Sequence, residues 1–108
     1  MAGTNDADMV LAGNTVRKNK GGLAFALNGQ VVGELPLPVA GLMSTESAET
    51  VEEKLQTLKA ALKAHGISED IDAFMTLAFV SLPVIPKLRL NTYGIVDVDA
   101  QQIVPAVF

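Results

Sequence analysis

The segment Glu34–Thr45, ELPLPVAGLMST, places the tightest limit on the fold, because prolines two residues apart cannot lie in a helix interior or a central strand. Each proline fixes φ and removes a hydrogen-bond donor, so Pro36 and Pro38 predict an extended path at a sheet edge. Gly41 then allows a turn, and Ser44–Thr45 offers side-chain oxygens where a helix would begin. The sequence therefore predicts one compact unit before this segment and a long helix after it.

A β-hairpin is predicted before the proline segment. Asn28-Gly29 separates the strand-like runs Leu23–Leu27 and Gln30–Leu35, and this dipeptide tolerates the two positive φ angles of a type I′ turn. A two-residue loop would set the cross-strand pairs Leu27–Gln30, Ala26–Val31, Phe25–Val32 and Ala24–Gly33. One face of the hairpin would then be bulky and the other small, and we expect a helix to approach closely on the small face.

Two helices are predicted around this hairpin. The first covers residues 4–19, with Asn5 as its N-cap and Asp8 at the third position. The second runs from about Ser47 to His65, with acidic residues at its start, basic residues at its end and Gly66 after it. Its apolar stripe consists of Val51, Leu55, Leu58 and Leu62.

The rest of the chain is predicted to be mostly strand. Residues 67–73 are acidic and predict a loop with one helical turn, whereas residues 76–82 are apolar on both faces and predict an interior strand. A half-exposed strand around Leu88 and Leu90 and short strands at 95–98 and 103–107 follow. The predicted fold is a single α+β domain over residues 1–108, with a mostly antiparallel sheet and two packed helices.

Composition limits the classes of partner. Eight Lys and Arg against twelve Asp and Glu give a net charge of -4, which argues against nucleic acid and anionic membranes as partners. The absence of cysteine suits a cytoplasmic protein, and no apolar run is long enough to span a membrane. At 49% apolar residues the chain is expected to have surface that a partner domain covers.

The sequence predicts no catalytic and no metal-binding residue. His65 is the single histidine, whereas a catalytic metal site needs several converging His or carboxylate ligands. We therefore expect His65 to cap a helix C-terminus. We expect the acidic residues at 46–53 and 69–72 to lie on solvated faces, and Asp97 and Asp99 to lie on an exposed strand edge.

Three runs carry a family resemblance: GTNDADM near the start, ELPLPVAGLMS in the proline segment, and FMTLAFVSLPVIPKLRL later. In order and spacing they resemble the C-terminal domain of bacterial adenine deaminases, members of the amidohydrolase superfamily, from about residue 3 to 98. The resemblance implies a parent enzyme of purine salvage and adenine catabolism that hydrolyses adenine to hypoxanthine and ammonia. It also implies a divalent metal, manganese or iron, held in a barrel domain that precedes this one, with no cofactor in this chain.

By the same resemblance, this chain is expected to be a cytoplasmic accessory domain that packs on the barrel and is catalytically inert alone. The residues expected to face the barrel or line its pocket are Gly41, Leu42, Met43, Ser44, Phe74, Met75 and Thr76. The alternative is a freestanding binding or oligomerisation module that has lost the barrel. A homo-oligomer is open under either hypothesis.

Overall fold

The computed structural model describes residues 1–68 and 70–106 and divides into two compact units, Met1–Asp70 and Ile71–Phe108. Each unit combines helical structure with an antiparallel sheet. The predicted α+β class is therefore confirmed, although the strands form two separate sheets and a third helix replaces a predicted strand.

The first unit consists of a β-hairpin flanked by two helices. Its elements are α1 (Asp6–Lys18), β1 (Gly22–Leu27), β2 (Gln30–Pro36) and α2 (Ala48–Ala64). Helix α1 packs beside the hairpin, mainly on β1, and α2 packs on β2. The buried core is aliphatic and is made of Leu35, Leu58 and Leu62. Pro36 ends β2, as its missing donor requires.

The two-residue turn of the hairpin forms as predicted. Asn28 and Gly29 have φ angles of 52° and 76°, and Leu27 pairs with Gln30. A β-bulge between Phe25 and Ala26 then shifts the register, so Phe25 pairs with Gly33. The predicted pairs Phe25–Val32 and Ala24–Gly33 are wrong, because turn chemistry fixes only the register next to the loop.

Helix α1 is tied to the hairpin turn through Asp8. Asn5 caps the helix as predicted, its Oδ1 accepting from the Asp8 backbone N–H at 2.9 Å. The Asp8 carboxylate also accepts from the backbone N–H groups of Gly29 at 2.7 Å and Asn28 at 3.0 Å. The Asn5 Nδ2 donates to the same carboxylate at 2.9 Å. This bond, followed by that from the Gly29 amide, stabilises the ionised form and holds the pKa of Asp8 below its ordinary value.

Replacing Asp8 with asparagine should lower the free energy of unfolding of the first unit at neutral pH. It should also make that free energy less dependent on pH in the acid range. The folded-state pKa of Asp8 is lower than the unfolded one. Its stabilising contribution is therefore fully present above the unfolded pKa and is lost as pH falls through the folded pKa. Urea unfolding between neutral and strongly acid pH measures this. Asp6→Asn, in the same helical turn, is the matched control, and parallel pH curves for wild type and Asp8→Asn would contradict the assignment.

Helix α2 has the predicted ends. The Ser47 side chain accepts from the Thr50 backbone N–H at 3.3 Å, which makes Ser47 the N-cap. Hydrogen bonds from its own backbone N–H and from Ser47 lower the pKa of Glu49, as expected at a helix N-terminus. His65 is the C-cap and Gly66 follows with φ 94°, so both predictions for this end are confirmed.

The second unit consists of one helix and a three-stranded sheet. Its elements are α3 (Ala73–Val80), β3 (Leu88–Asn91), β4 (Gly94–Asp97) and β5 (Gln102–Val104), and the antiparallel strand order is β3-β4-β5. The strands predicted at 88–90 and 95–98 are confirmed. The strand predicted at 103–107 is observed to Val104, and residue 107 lies outside the described residues.

The interior strand predicted at residues 76–82 is wrong, because Ala73–Val80 forms helix α3. Asp72 starts this helix: its Oδ1 accepts from the Met75 backbone N–H at 3.0 Å. A run that is apolar on every face has no alternation to separate a buried strand from a buried helix. The N-cap at Asp72 was the local signal that distinguishes them.

Candidate functional site

The first group of predicted site residues lies in a tight loop after β2. In this 39–43 loop, Val39–Met43, the Val39 N–H donates to the Met43 carbonyl at 3.0 Å and the Met43 N–H donates back at 3.1 Å. Ala40 and Gly41, at φ 55° and 75°, make the reversal between them. The loop is therefore closed by backbone hydrogen bonds at its base.

The 39–43 loop rests on Gly21 and presents apolar side chains to solvent. A Cβ on Gly21 would lie 2.3 Å from the Gly41 Cα, so the two backbones meet where no side chain fits. At the tip, Leu42 is 77% exposed and Met43 57% exposed. A loop that is held by its backbone while its apolar side chains face outward suits contact with another protein surface.

Ser44 has a local structural role. Its Oγ accepts from the Glu46 backbone N–H at 3.1 Å, which closes a short turn before α2. The helix itself is capped by Ser47, so the oxygens at Ser44–Thr45 precede the helix by one turn.

The second group, Phe74–Thr76, occupies the first turn of α3 in the second unit. Phe74 is half-buried, and Met75 is 53% exposed. Each group therefore lies on a partly exposed, apolar surface of its own unit. Sequence reasoning did not select the neighbouring exposed apolar residues, which are Val39 in the loop and Leu77, Phe79 and Val80 in α3. Their signal was present, because α3 has a single polar residue.

The described residues of this chain do not form a site for a catalytic metal. The His65 ring stacks at a tilt on Phe25, with ring centroids 5.8 Å apart. Within residues 1–68 and 70–106, no three His, Asp or Glu side chains gather closely enough to hold an ion. Two of the carboxylates at 46–53 are engaged locally, because Glu46 pairs with Lys54 and Glu52 accepts from Gln56. Asp97 Oδ1 accepts from the Ala100 N–H in the turn before β5.

A shallow groove lies between β2 and α2 in the first unit. Its volume is about 240 Å³, and it is lined by Gly33, Glu34, Glu53, Lys54, Thr57 and Leu58. Glu34 Oε2 accepts from the Asn19 side chain at 2.7 Å, and Lys54 is paired with Glu46. Two of its charged groups are therefore already engaged by neighbouring side chains.

Helix α3 is apolar but short. In the part of the chain that the structure describes, no helix combines the length and apolarity that crossing a bilayer requires.

Comparison with known proteins gives a consistent result. The family described as the adenine deaminase C-terminal domain matches residues 1–102. Adenine deaminase 2 of Carboxydothermus hydrogenoformans is 47% identical over 97% of this chain, and the match covers 18% of that relative. Adenine deaminases of Kosmotoga olearia and Bacillus velezensis are 56% and 44% identical over 89% and 95% of this chain. The matches cover 16% and 18% of these relatives, so this chain corresponds to a small part of their length.

Proposed function

The chain belongs to the adenine deaminase C-terminal domain family, and on this premise we propose that it serves as the accessory domain of an adenine deaminase, inert by itself. The observation that carries the proposal is the match of nearly the whole chain to less than a fifth of each relative. The chemistry then belongs to the remaining part of the enzyme. In this proposal the full-length protein hydrolyses adenine to hypoxanthine and ammonia in the cytoplasm, as a step of purine salvage.

The residues of this chain support a role in contact rather than reaction. The sequence has one histidine, which lies against Phe25, and a single imidazole does not supply the several ligands of a catalytic metal. A manganese or iron ion would therefore be held by the catalytic region and not by this domain. The 39–43 loop and the first turn of α3 are the surfaces that we propose face that region, because both expose apolar side chains.

The purified chain should release no ammonia from adenine, with or without added Mn(II). The reason is that no three His, Asp or Glu side chains among residues 1–68 and 70–106 lie close enough to hold the metal ion that the implied reaction uses. Coupled-enzyme detection of ammonia measures this, with the full-length Kosmotoga olearia enzyme as positive control. Turnover that scales with the concentration of this chain would contradict inertness.

The accessory role has a positive test in a chimera, defined as the Kosmotoga olearia adenine deaminase with its matched C-terminal segment replaced by this chain. Because the two segments are 56% identical, we expect the chimera to deaminate adenine within about tenfold of the parent enzyme, a loss of at most ~1.4 kcal/mol in transition-state stabilisation. A soluble, metal-loaded chimera without turnover would favour the alternative, a freestanding binding or oligomerisation module. Light scattering of the isolated chain would then show a defined oligomer.

A further inference from the structure

The second unit has no side chain that is fully buried among its described residues, 71–106. The first unit, in contrast, buries Leu35, Leu58 and Leu62. The large apolar side chains that the second unit exposes are Ile71, Met75, Leu77, Phe79, Val80, Leu82, Val84, Leu88, Leu90, Tyr93 and Ile103. A unit of this size normally needs disulfides, a metal or association to be stable, and the sequence has no cysteine.

Helix α3 has the most continuous exposed apolar surface of the second unit. Seven of its eight residues are apolar, Thr76 being the exception. Met75 and Phe79, one turn apart, are 53% and 47% exposed, and Leu77 and Val80 on other faces are 39% and 50% exposed. A helix that is apolar all round is normally buried inside protein or lipid. At roughly 12 Å long it is far too short to cross a bilayer.

The sheet of the second unit adds a second apolar surface. Its register places Leu90, Ile95 and Val104 in one row across the three strands, and Leu88 lies on the same face. Leu88 is 49% exposed and Leu90 60% exposed. Helix α3 does not pack extensively against these strands. Helix α3 and the apolar sheet face therefore do not bury each other.

The charge of this unit favours a protein partner over a membrane surface. Its charged side chains are Asp72, Lys87, Arg89, Asp97 and Asp99. Two cations and three anions give a net charge of about -1 for residues 71–106, which offers no attraction to anionic lipid. Apolar area without an excess of basic residues is typical of surfaces that another protein covers.

The length of the relatives identifies the occupant. Each matched relative extends far beyond the segment that resembles this chain, which is 16% to 18% of its length. We infer that the second unit is a docking element that folds stably only when the catalytic region of an adenine deaminase covers α3 and the Leu88–Leu90 sheet face. This inference rests on the proposed function, because it takes the catalytic region as partner.

Hydrogen exchange of the isolated 108-residue chain and of the chimera tests the inference. In the isolated monomer we expect peptides from residues 73–104 to exchange as an unfolded segment, while the hairpin at 22–36 stays protected. In the chimera we expect exchange of residues 73–104 to slow by at least ~10-fold, because covering the apolar surface raises the free energy of local opening.

A matched pair of substitutions separates docking from general damage. Phe79→Asn places a polar group on α3, and Val10→Asn does the same on α1, where Val10 is 58% exposed. In the chimera, Phe79→Asn should raise the exchange rate of residues 73–104 by at least ~10-fold, toward the rate in the isolated chain. Val10→Asn should leave that rate unchanged. Equal effects of the two substitutions would overturn the inference.

The remaining outcomes are decisive and separable. Protection of residues 73–104 in the isolated monomer overturns the inference. Protection that appears only in a concentration-dependent dimer also overturns it, because a second copy of the chain would then cover the surface. A chimera that deaminates adenine while residues 73–104 stay unprotected overturns the inference and leaves the proposed function intact. Protection in an inactive chimera supports docking and contradicts the proposed function.

Discussion

Replacing Leu58 with aspartate is expected to abolish the cooperative unfolding transition of the first unit. Leu58 is 1% exposed and is the largest fully buried side chain among the described residues. Truncating a buried leucine to alanine already costs about 2–5 kcal/mol. An unpaired carboxylate adds a desolvation cost, and the two together approach the ~5–15 kcal/mol by which whole domains are stable.

The surroundings of Leu58 offer little relief to a carboxylate. A Cβ on Gly33 would lie only 2.7 Å from the Leu58 Cδ1, so α2 and β2 are in close contact at this point. Lys54, one helical turn earlier, is engaged by both carboxylate oxygens of Glu46, at 2.6 and 2.5 Å. An aspartate at position 58 would therefore enter a close apolar contact beside a cation that already has a partner.

Circular dichroism during urea unfolding measures the effect of Leu58→Asp. Ala60→Asp is the matched control, because it places the same carboxylate on the exposed side of the same helix. The control should cost at most ~1 kcal/mol, mainly in helix propensity. A cooperative transition with the same midpoint in both variants would show that Leu58 is not central to the core.

Gly22→Ala should be the most damaging of the conservative substitutions at the hairpin, lowering the stability of the first unit by about 3 kcal/mol or more. Gly22 has φ 125°, a conformation that residues with a side chain rarely adopt. A Cβ there would lie 2.1 Å from the Leu35 carbonyl oxygen and 3.0 Å from the Leu37 nitrogen. Both atoms are backbone, so the clash is relieved only if β1 and β2 separate.

Gly29→Ala provides the control for Gly22→Ala. Gly29 also has positive φ, at 76°, but nothing lies within 4 Å of the position of its Cβ. The cost of the control should be limited to left-handed backbone strain, roughly 1–2 kcal/mol. Urea midpoints of the two variants compare the costs directly. Equal losses would mean that strain alone, and not the contact with β2, makes Gly22 necessary.

Local signals in the sequence were sufficient for the elements whose ends are set by their own residues. Asn5 caps α1, Asn28-Gly29 makes the turn, and Ser47 and Gly66 bound α2, because each of these effects acts over a few residues. The same reasoning failed at α3. Its run is apolar on every face, so the period that separates helix from strand is missing there.

For the candidate surface, too, the sequence predicted some features and the packing decided others. The sequence singled out Gly41–Ser44 and Phe74–Thr76, whereas the exposure of Leu42 and Met75 follows from how each unit packs. The contact of Gly21 with Gly41 and the role of Asp8 join residues twenty or more positions apart. No local rule specifies such partners.

The sequence by itself determined the α+β class, the hairpin turn, the N-cap of α1, the C-terminal end of α2, and the family to which the chain belongs. Only the tertiary structure decided the bulge that pairs Phe25 with Gly33 and the absence of buried side chains in residues 71–106. The physical reason is the range of the interactions. Caps and turns satisfy backbone groups among near neighbours, whereas register and burial depend on partners brought together by folding.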